Sequence, residues 1–233
     1  TTEIYTLSLH DALPICQTTT DRVSIAEMKA EIDSILESQV GLGKIPGAVI
    51  LVEKNNKVVF RKAYGYAWKY DYDHTLLDKP EKMTVSHLFD IASLTKVVGT
   101  TTSVMLLADR GLLGIDDPVS KYVRAFDTPD KQDITIRHLL THSAGLYEWY
   151  PMYYLASNKQ ESYRLIGELP LKFPVGEQRH YSDLGFVLLG EIIELVSCQS
   201  LEDFMETNIF RPLKMNHTTY NPLSSGRFRK IPA

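Results

Sequence analysis

The chain has 233 residues, 44% of them hydrophobic, with a net charge of -4 and a pI near 6.0. Its scattered basic residues leave no electrostatic footprint for nucleic acid, and no stretch approaches the roughly 18 apolar residues of a membrane span. The length suffices for one large domain or two small ones with a substantial core.

Residues 1–15, "TTEIYTLSLHDALPI", lack the basic flank and continuous apolar stretch of a signal peptide. They match, residue for residue, the conceptual translation of a short-read sequencing adapter, whose leftover base is compatible with Cys16. Residues 1–16 are therefore expected to be an assembly artefact, with the true start of the protein and any export signal lost. Setting Cys16 aside leaves Cys198, so no internal disulfide is expected, and a lone thiol in an apolar helix reads as core filler.

The first expected element is an amphipathic helix over "SIAEMKAEIDSILESQVG". Ser24 and Glu27 form a capping box, Ile25, Met28, Ile32, Ile35 and Leu36 recur at helical spacing, and Gly41 ends it. Two β-rich runs follow, "GAVILVEK" and "KVVFRKAYGYAW", joined by Asn55 and Asn56. Asparagine tolerates the positive φ of a tight turn, so the pair predicts a hairpin. A helix followed by an antiparallel hairpin implies an α/β protein whose sheet is not doubly wound and parallel. The polar segment 68–83 reads as a loop.

Residues 93–111, "SLTKVVGTTTSVMLLADRG", lack a polar face for three turns, which predicts a buried helix starting near Ser93 and stopping at Gly111. Lys96 then lies in the first turn, where the helix dipole and burial both disfavour a cation and lower its pKa toward that of a useful base. It faces Ser93 three residues away, and the Ser93 N–H is placed to help form an oxyanion hole. The plainer reading is an N-cap serine beside a lysine that snorkels to the surface. Other chemistries have less to stand on. No Gly-x-Ser-x-Gly elbow or phosphate-binding loop is present. "HLLTH" spaces His138 and His142 as two helical metal ligands, but Leu139 stands where zinc hydrolases carry a glutamate.

Six blocks in order carry a family resemblance: "IPGAVILVEKNNKVVFRKAYGYA", "FDIASLTK", "LLGIDDPVSKYV", "ITIRHLLTHSAGL", "FPVGEQRHYSDLGFVLLGEIIELVS" and "IFRPLKMNHTTYNP". Together they resemble the serine β-lactamase and penicillin-binding protein superfamily, in its class C-like branch with D-alanyl-D-alanine carboxypeptidases and family VIII esterases. The resemblance implies a β-lactamase/transpeptidase-like α/β (α+β) fold, an antiparallel sheet flanked by helices plus a helical subdomain. Residues 17–115 would be the α/β part with the nucleophile helix, 116–208 the helical part, and 209–233 a return toward further strands. Ser93 matches the nucleophile of an acyl-enzyme mechanism, Lys96 its base, and Tyr181 the base partner. A free lysine or tyrosine is no base at neutral pH, so the proton acceptor is assigned to the Lys96–Tyr181 pair.

Two departures qualify the match. Asp183 stands where the family's second motif has asparagine, so it cannot donate an amide N–H to a substrate carbonyl. It would either cap the helix that follows or, facing the site, bind Lys96 and repel substrate carboxylates, which tilts the expectation toward esters. The third motif, Lys or His then Ser or Thr then Gly, has no match, and the chain ends at "RFRKIPA". The expectation is therefore a fragment of a serine hydrolase, inactive alone, with one edge of its hairpin left open. The parent would act on an ester, a β-lactam or a D-Ala-D-Ala-type amide, without cofactor. Its partner would be a small-molecule or peptidoglycan-like acyl substrate, and the family favours a periplasmic or secreted location, with a cytoplasmic one open to the esterase branch. The alternatives are a noncatalytic homologue that binds peptidoglycan, and a metal-dependent hydrolase using His138 and His142.

Overall fold

The structure is a computed structural model that describes residues 24–222; the adapter-like stretch 1–16 and the end of the return segment 209–233 lie outside the described residues. The described chain divides into two compact units, 24–88 and 89–222. The segment that follows Ser93 lies in the second of these units.

The first unit opens with α1, Ile25–Gly41. The Ser24 hydroxyl accepts the Glu27 N–H, and the Glu27 carboxylate accepts the Ser24 N–H, so the capping box satisfies two donors that the helix start would otherwise leave open. Strand β1, Gly47–Lys54, then pairs antiparallel with β2, Lys57–Tyr70, from Gly47 opposite Gly65 to Lys54 opposite Lys57. The two-residue turn between them has φ of 51° at Asn55 and 57° at Asn56, the left-handed pair that a hairpin twist requires. Helix α1 is tied to β2 through Asp33, which accepts from Lys62 at 2.6 Å and from the Tyr64 hydroxyl at 2.5 Å. Burial, followed by this anionic partner, pushes the Tyr64 phenol up to about 12.

Segment 68–83 is not a loop. Strand β2 runs on to Tyr70, and β3, Leu76–Lys82, pairs with it antiparallel. Leu76, Lys79 and Glu81 have little apolar alternation and Pro80 lacks an N–H, so β3 is strand only because β2 offers it a ladder. Among the described residues the sheet order is β1-β2-β3, which leaves the outer edge of β1 without a strand partner.

The second unit is helical. A short π-helical stretch, Lys96–Thr101, leads into α2, Thr102–Asp109; α3 spans Ile136–Leu140, α4 Met152–Leu155, α5 Lys159–Glu168, α6 Asp183–Ser197 and α7 Leu201–Met205. Helix α6 is the axis of the core. Leu188, Leu189, Ile192 and Ile193 are fully buried and pack with Leu107 of α2, Leu139 of α3, Ile166 of α5 and Phe126. Cys198 is not core filler: it follows α6 with φ 54° and is exposed. Nor is the segment after Ser93 buried all round, since Val97 and Met105 are 62% and 64% exposed while Gly99, Ser103, Val104 and Leu107 face inward. Its π-helical widening has a local cause, because the Thr102 hydroxyl donates to the Val97 carbonyl and the Ser103 hydroxyl to the Gly99 carbonyl. Among the described residues no single helix is long and apolar enough to cross a membrane.

Candidate active site

Ser93 is delivered on a strained turn. Ala92 before it has φ 43°, uncommon for a residue with a Cβ, and its N–H is held by the Asp90 carboxylate at 2.8 Å. Residues 94 and 95 then wind into the helical segment, which places Lys96 Nζ 3.3 Å from Ser93 Oγ. Thus the two residues one turn apart do face each other.

Tyr181 and Asp183 arrive from the start of α6. Ser182 is the N-cap, its hydroxyl accepting the Gly185 N–H, so Asp183 is free of capping and reaches Lys96 Nζ at 2.7 Å. Of the two placements open to Asp183 from sequence, the structure adopts the one in which it faces the lysine. The segment before α6 is held against the loop after α3 by backbone bonds: His180 N–H to His142 carbonyl at 2.9 Å, Asp183 N–H to Glu148 carbonyl at 2.8 Å, and Lys172 N–H to Gly145 carbonyl at 2.8 Å. Gly145 has φ 77°, and an added Cβ there would strike the Phe173 carbonyl, so glycine is required where the two segments meet.

Lys96 therefore sits among Ser93, Tyr181 and Asp183, with the Tyr181 ring centroid 5.0 Å from Nζ. Burial acts to lower the lysine pKa, but hydrogen bonds to Asp183 and Tyr181 outweigh it, and the net direction is upward. This corrects the expectation from helix dipole and burial: those forces are opposed by an anion whose approach no local pattern shows. Tyr181 moves the other way. Its hydrogen bond to Lys96, then the one to Ser93, holds the phenol below its ordinary value of 10.0. Of the pair, the phenol is the group drawn toward its base form, and the lysine is the cation that stabilises it.

His142, which the sequence offers only as half of a metal pair or as a structural histidine, adjoins this site. The helical premise of a His138–His142 metal pair does not hold, since α3 ends at Leu140 and His142 has φ 58°, beyond the helix. His138 Nδ1 instead takes the Thr135 N–H at 3.1 Å, and His142 Nδ1 takes the Ser182 N–H at 3.0 Å. The His142 ring lies 4.6 Å from the Tyr181 ring and 5.1 Å from Phe186. Among the described residues no group of three His, Cys, Asp or Glu side chains could hold a metal ion. An open cavity of about 460 Å³ borders Ser93, Lys96 and Asp183 and extends past Phe186, Val187 and Tyr220.

A serine on a strained turn, a lysine one helical turn on, and a tyrosine brought in from a distant helix start thus lie together at one site. The β-lactamase family profile matches residues 32–231, and the chain belongs to that family, within the serine β-lactamase and penicillin-binding protein superfamily. A protein of Escherichia coli (strain K12), provisionally named as a D-alanyl-D-alanine carboxypeptidase, is 36% identical over 209 residues, which are 84% of this chain and 48% of that protein. Among solved structures, the octameric penicillin-binding protein homologue from Pyrococcus abyssi superposes with a TM-score of 0.73 at 27% identity, over 88% of this chain and 47% of that one. EstCE1, a hydrolase with promiscuous acyltransferase activity, superposes with a TM-score of 0.69 at 25% identity, over 82% and 53%. The chain spans about half the length of the curated relatives it matches.

Proposed function

We propose that the whole protein is a serine acyl hydrolase in which Ser93 is the nucleophile and the Tyr181 phenolate, held by the Lys96 cation, is its base. The observation that carries this reading is the convergence of Ser93 Oγ at 3.3 Å and Asp183 at 2.7 Å on Lys96 Nζ, with the Tyr181 ring centroid 5.0 Å from the same nitrogen. Ser93 Oγ attacks the acyl carbonyl as its proton passes to the Tyr181 oxygen; the carbonyl π bond opens to an oxyanion that the Ser93 N–H faces. The intermediate collapses, the leaving group departs with the proton, and an acyl ester remains on Ser93. Water, deprotonated by the same phenolate, then attacks that ester and releases the acid and the serine. A fluorophosphonate should label the whole protein at Ser93, located by mass spectrometry of the labelled peptide. A label on another residue, or none, would count against the reading.

Substrate preference turns on Asp183. An ionised carboxylate beside Lys96 offers no amide N–H and repels a substrate carboxylate, which supports esters over β-lactams and peptide C-termini. Asp183 also enters both pKa balances, raising that of Lys96 and that of Tyr181. Asp183→Asn removes both contributions, so the midpoints of both limbs of the pH–rate profile should move to lower pH. In the same variant the reactivity of benzylpenicillin relative to a neutral p-nitrophenyl ester should rise. Unmoved limbs and an unchanged ratio would show that Asp183 is electrostatically silent.

A further inference from the structure

His142 combines three features that neither the metal reading nor the acyl-transfer chemistry uses: a backbone in the left-handed region, a nearly buried imidazole at 9% exposure, and an acceptor nitrogen aimed at the N-cap of α6. The Ser182 N–H it accepts at 3.0 Å belongs to the residue directly after Tyr181, and Ser182 is itself buried at 4% exposure with its hydroxyl donating to the Tyr147 carbonyl at 2.7 Å. The imidazole face lies against the Tyr181 ring at 4.6 Å and 33°. The phenol is thus fixed at two points by one side chain, at its ring and through the backbone of its neighbour.

We propose that His142 is the positioning residue of Tyr181, that only the neutral imidazole can serve, and that its protonation unlatches the phenol from Ser93 and Lys96. A proton on Nδ1 turns the acceptor into a donor facing the Ser182 N–H, so a hydrogen bond becomes a repulsion in a site with little water to compensate. The groups around the ring set the balance. Burial first, then Arg179 and Lys96, oppose a positive imidazole, whereas Asp183 favours one; Tyr181 and Phe186 cover its faces. His142 is held below its ordinary value of 6.5 in consequence, which keeps it neutral through the neutral range.

This inference rests on the reading of Tyr181 as the base, so the experiment separates the two. Acylation of Ser93 by a neutral activated ester is followed against pH in the whole protein, its Tyr181→Phe variant and two His142 variants. His142→Ala should lose about 10- to 100-fold where the wild-type imidazole is neutral, the scale of a misplaced reacting group, and the gap should narrow as the wild-type imidazole protonates. His142→Asn keeps an acceptor at the position of Nδ1, tolerates φ 58° and has no proton to gain, so it should recover most of that loss. On the acid side, the wild-type limb should steepen from a one-proton to a two-proton dependence as His142 protonates, while His142→Asn stays one-proton over the same range. A two-proton limb retained in His142→Asn would overturn the proposal, and so would a wild-type rate in His142→Ala; should His142→Ala fail to fold, the His142→Asn profile decides alone. A Tyr181→Phe variant as fast as wild type would instead overturn the base assignment.

Discussion

Tyr181→Phe is expected to slow acylation of Ser93 by about 100- to 10,000-fold, the range set by removal of a positioned general base. The substitution deletes one oxygen and leaves the ring. The aromatic face that meets His142 at 4.6 Å and covers Lys96 Nζ at 5.0 Å stays in place, so the loss should fall on the rate and leave the unfolding midpoint close to that of wild type. Lys96 cannot substitute, because the Asp183 carboxylate at 2.7 Å keeps it a cation and a cation accepts no proton. The measurement is the single-turnover rate of Ser93 acylation by a p-nitrophenyl ester in the whole protein. A variant within about threefold of wild type would show that the serine proton goes elsewhere.

Phe126→Ala is expected to destabilise the helical unit by about 3–5 kcal/mol, the cost of removing a fully buried aromatic and leaving a cavity. Phe126 is 0% exposed and packs in the same cluster as Leu188, Leu189, Ile192 and Ile193 of α6. A loss of that size is a large share of the roughly 5–15 kcal/mol that hold a domain folded. Since α6 carries Tyr181 and Asp183 at its start, loosening its core should also blur the site. Denaturant unfolding followed by far-UV circular dichroism reads the change, and a shift below about 1 kcal/mol would mean that the core closes over the gap. The same assay on Val97→Ala, at a position 62% exposed, provides the surface comparison.

The elements legible in the sequence are those whose causes lie within a few residues. Ser24 and Glu27 satisfy each other across one turn, and Asn55–Asn56 supplies two left-handed residues at one corner, so α1 and the hairpin are where the pattern puts them. Ser93 and Lys96 meet for the same reason, being one helical turn apart. Tyr181 was reachable only through the ordered blocks of the family resemblance, because its neighbours in sequence say nothing of a serine 88 positions away. Strand β3 was not reachable: Pro80 and its charges argue against a strand, and only the ladder of β2 overrides them.

Charge states and the fit of side chains to one another depend on groups far apart in the chain. Helix dipole and burial, both local, predict a lowered Lys96, and the direction reverses because α6 brings Asp183 to within 2.7 Å. "HLLTH" spaces two histidines as helical ligands could be, but with Leu139 in place of glutamate structural hydrogen bonds are the favoured reading, and both rings make them: α3 stops at Leu140 and His142 turns back to take the Ser182 N–H forty residues on. An apolar run after Ser93 implies burial on every side, but a helix is buried only where partners cover it, and among the described residues Val97 and Met105 have little cover. Short-range hydrogen bonding and periodicity thus specified the capped helix, the hairpin and the Ser93–Lys96 pair. Long-range packing around α6 set the protonation of Lys96 and Tyr181 and the place of His142, because electrostatic fields and ring contacts act across space, whatever the separation along the chain.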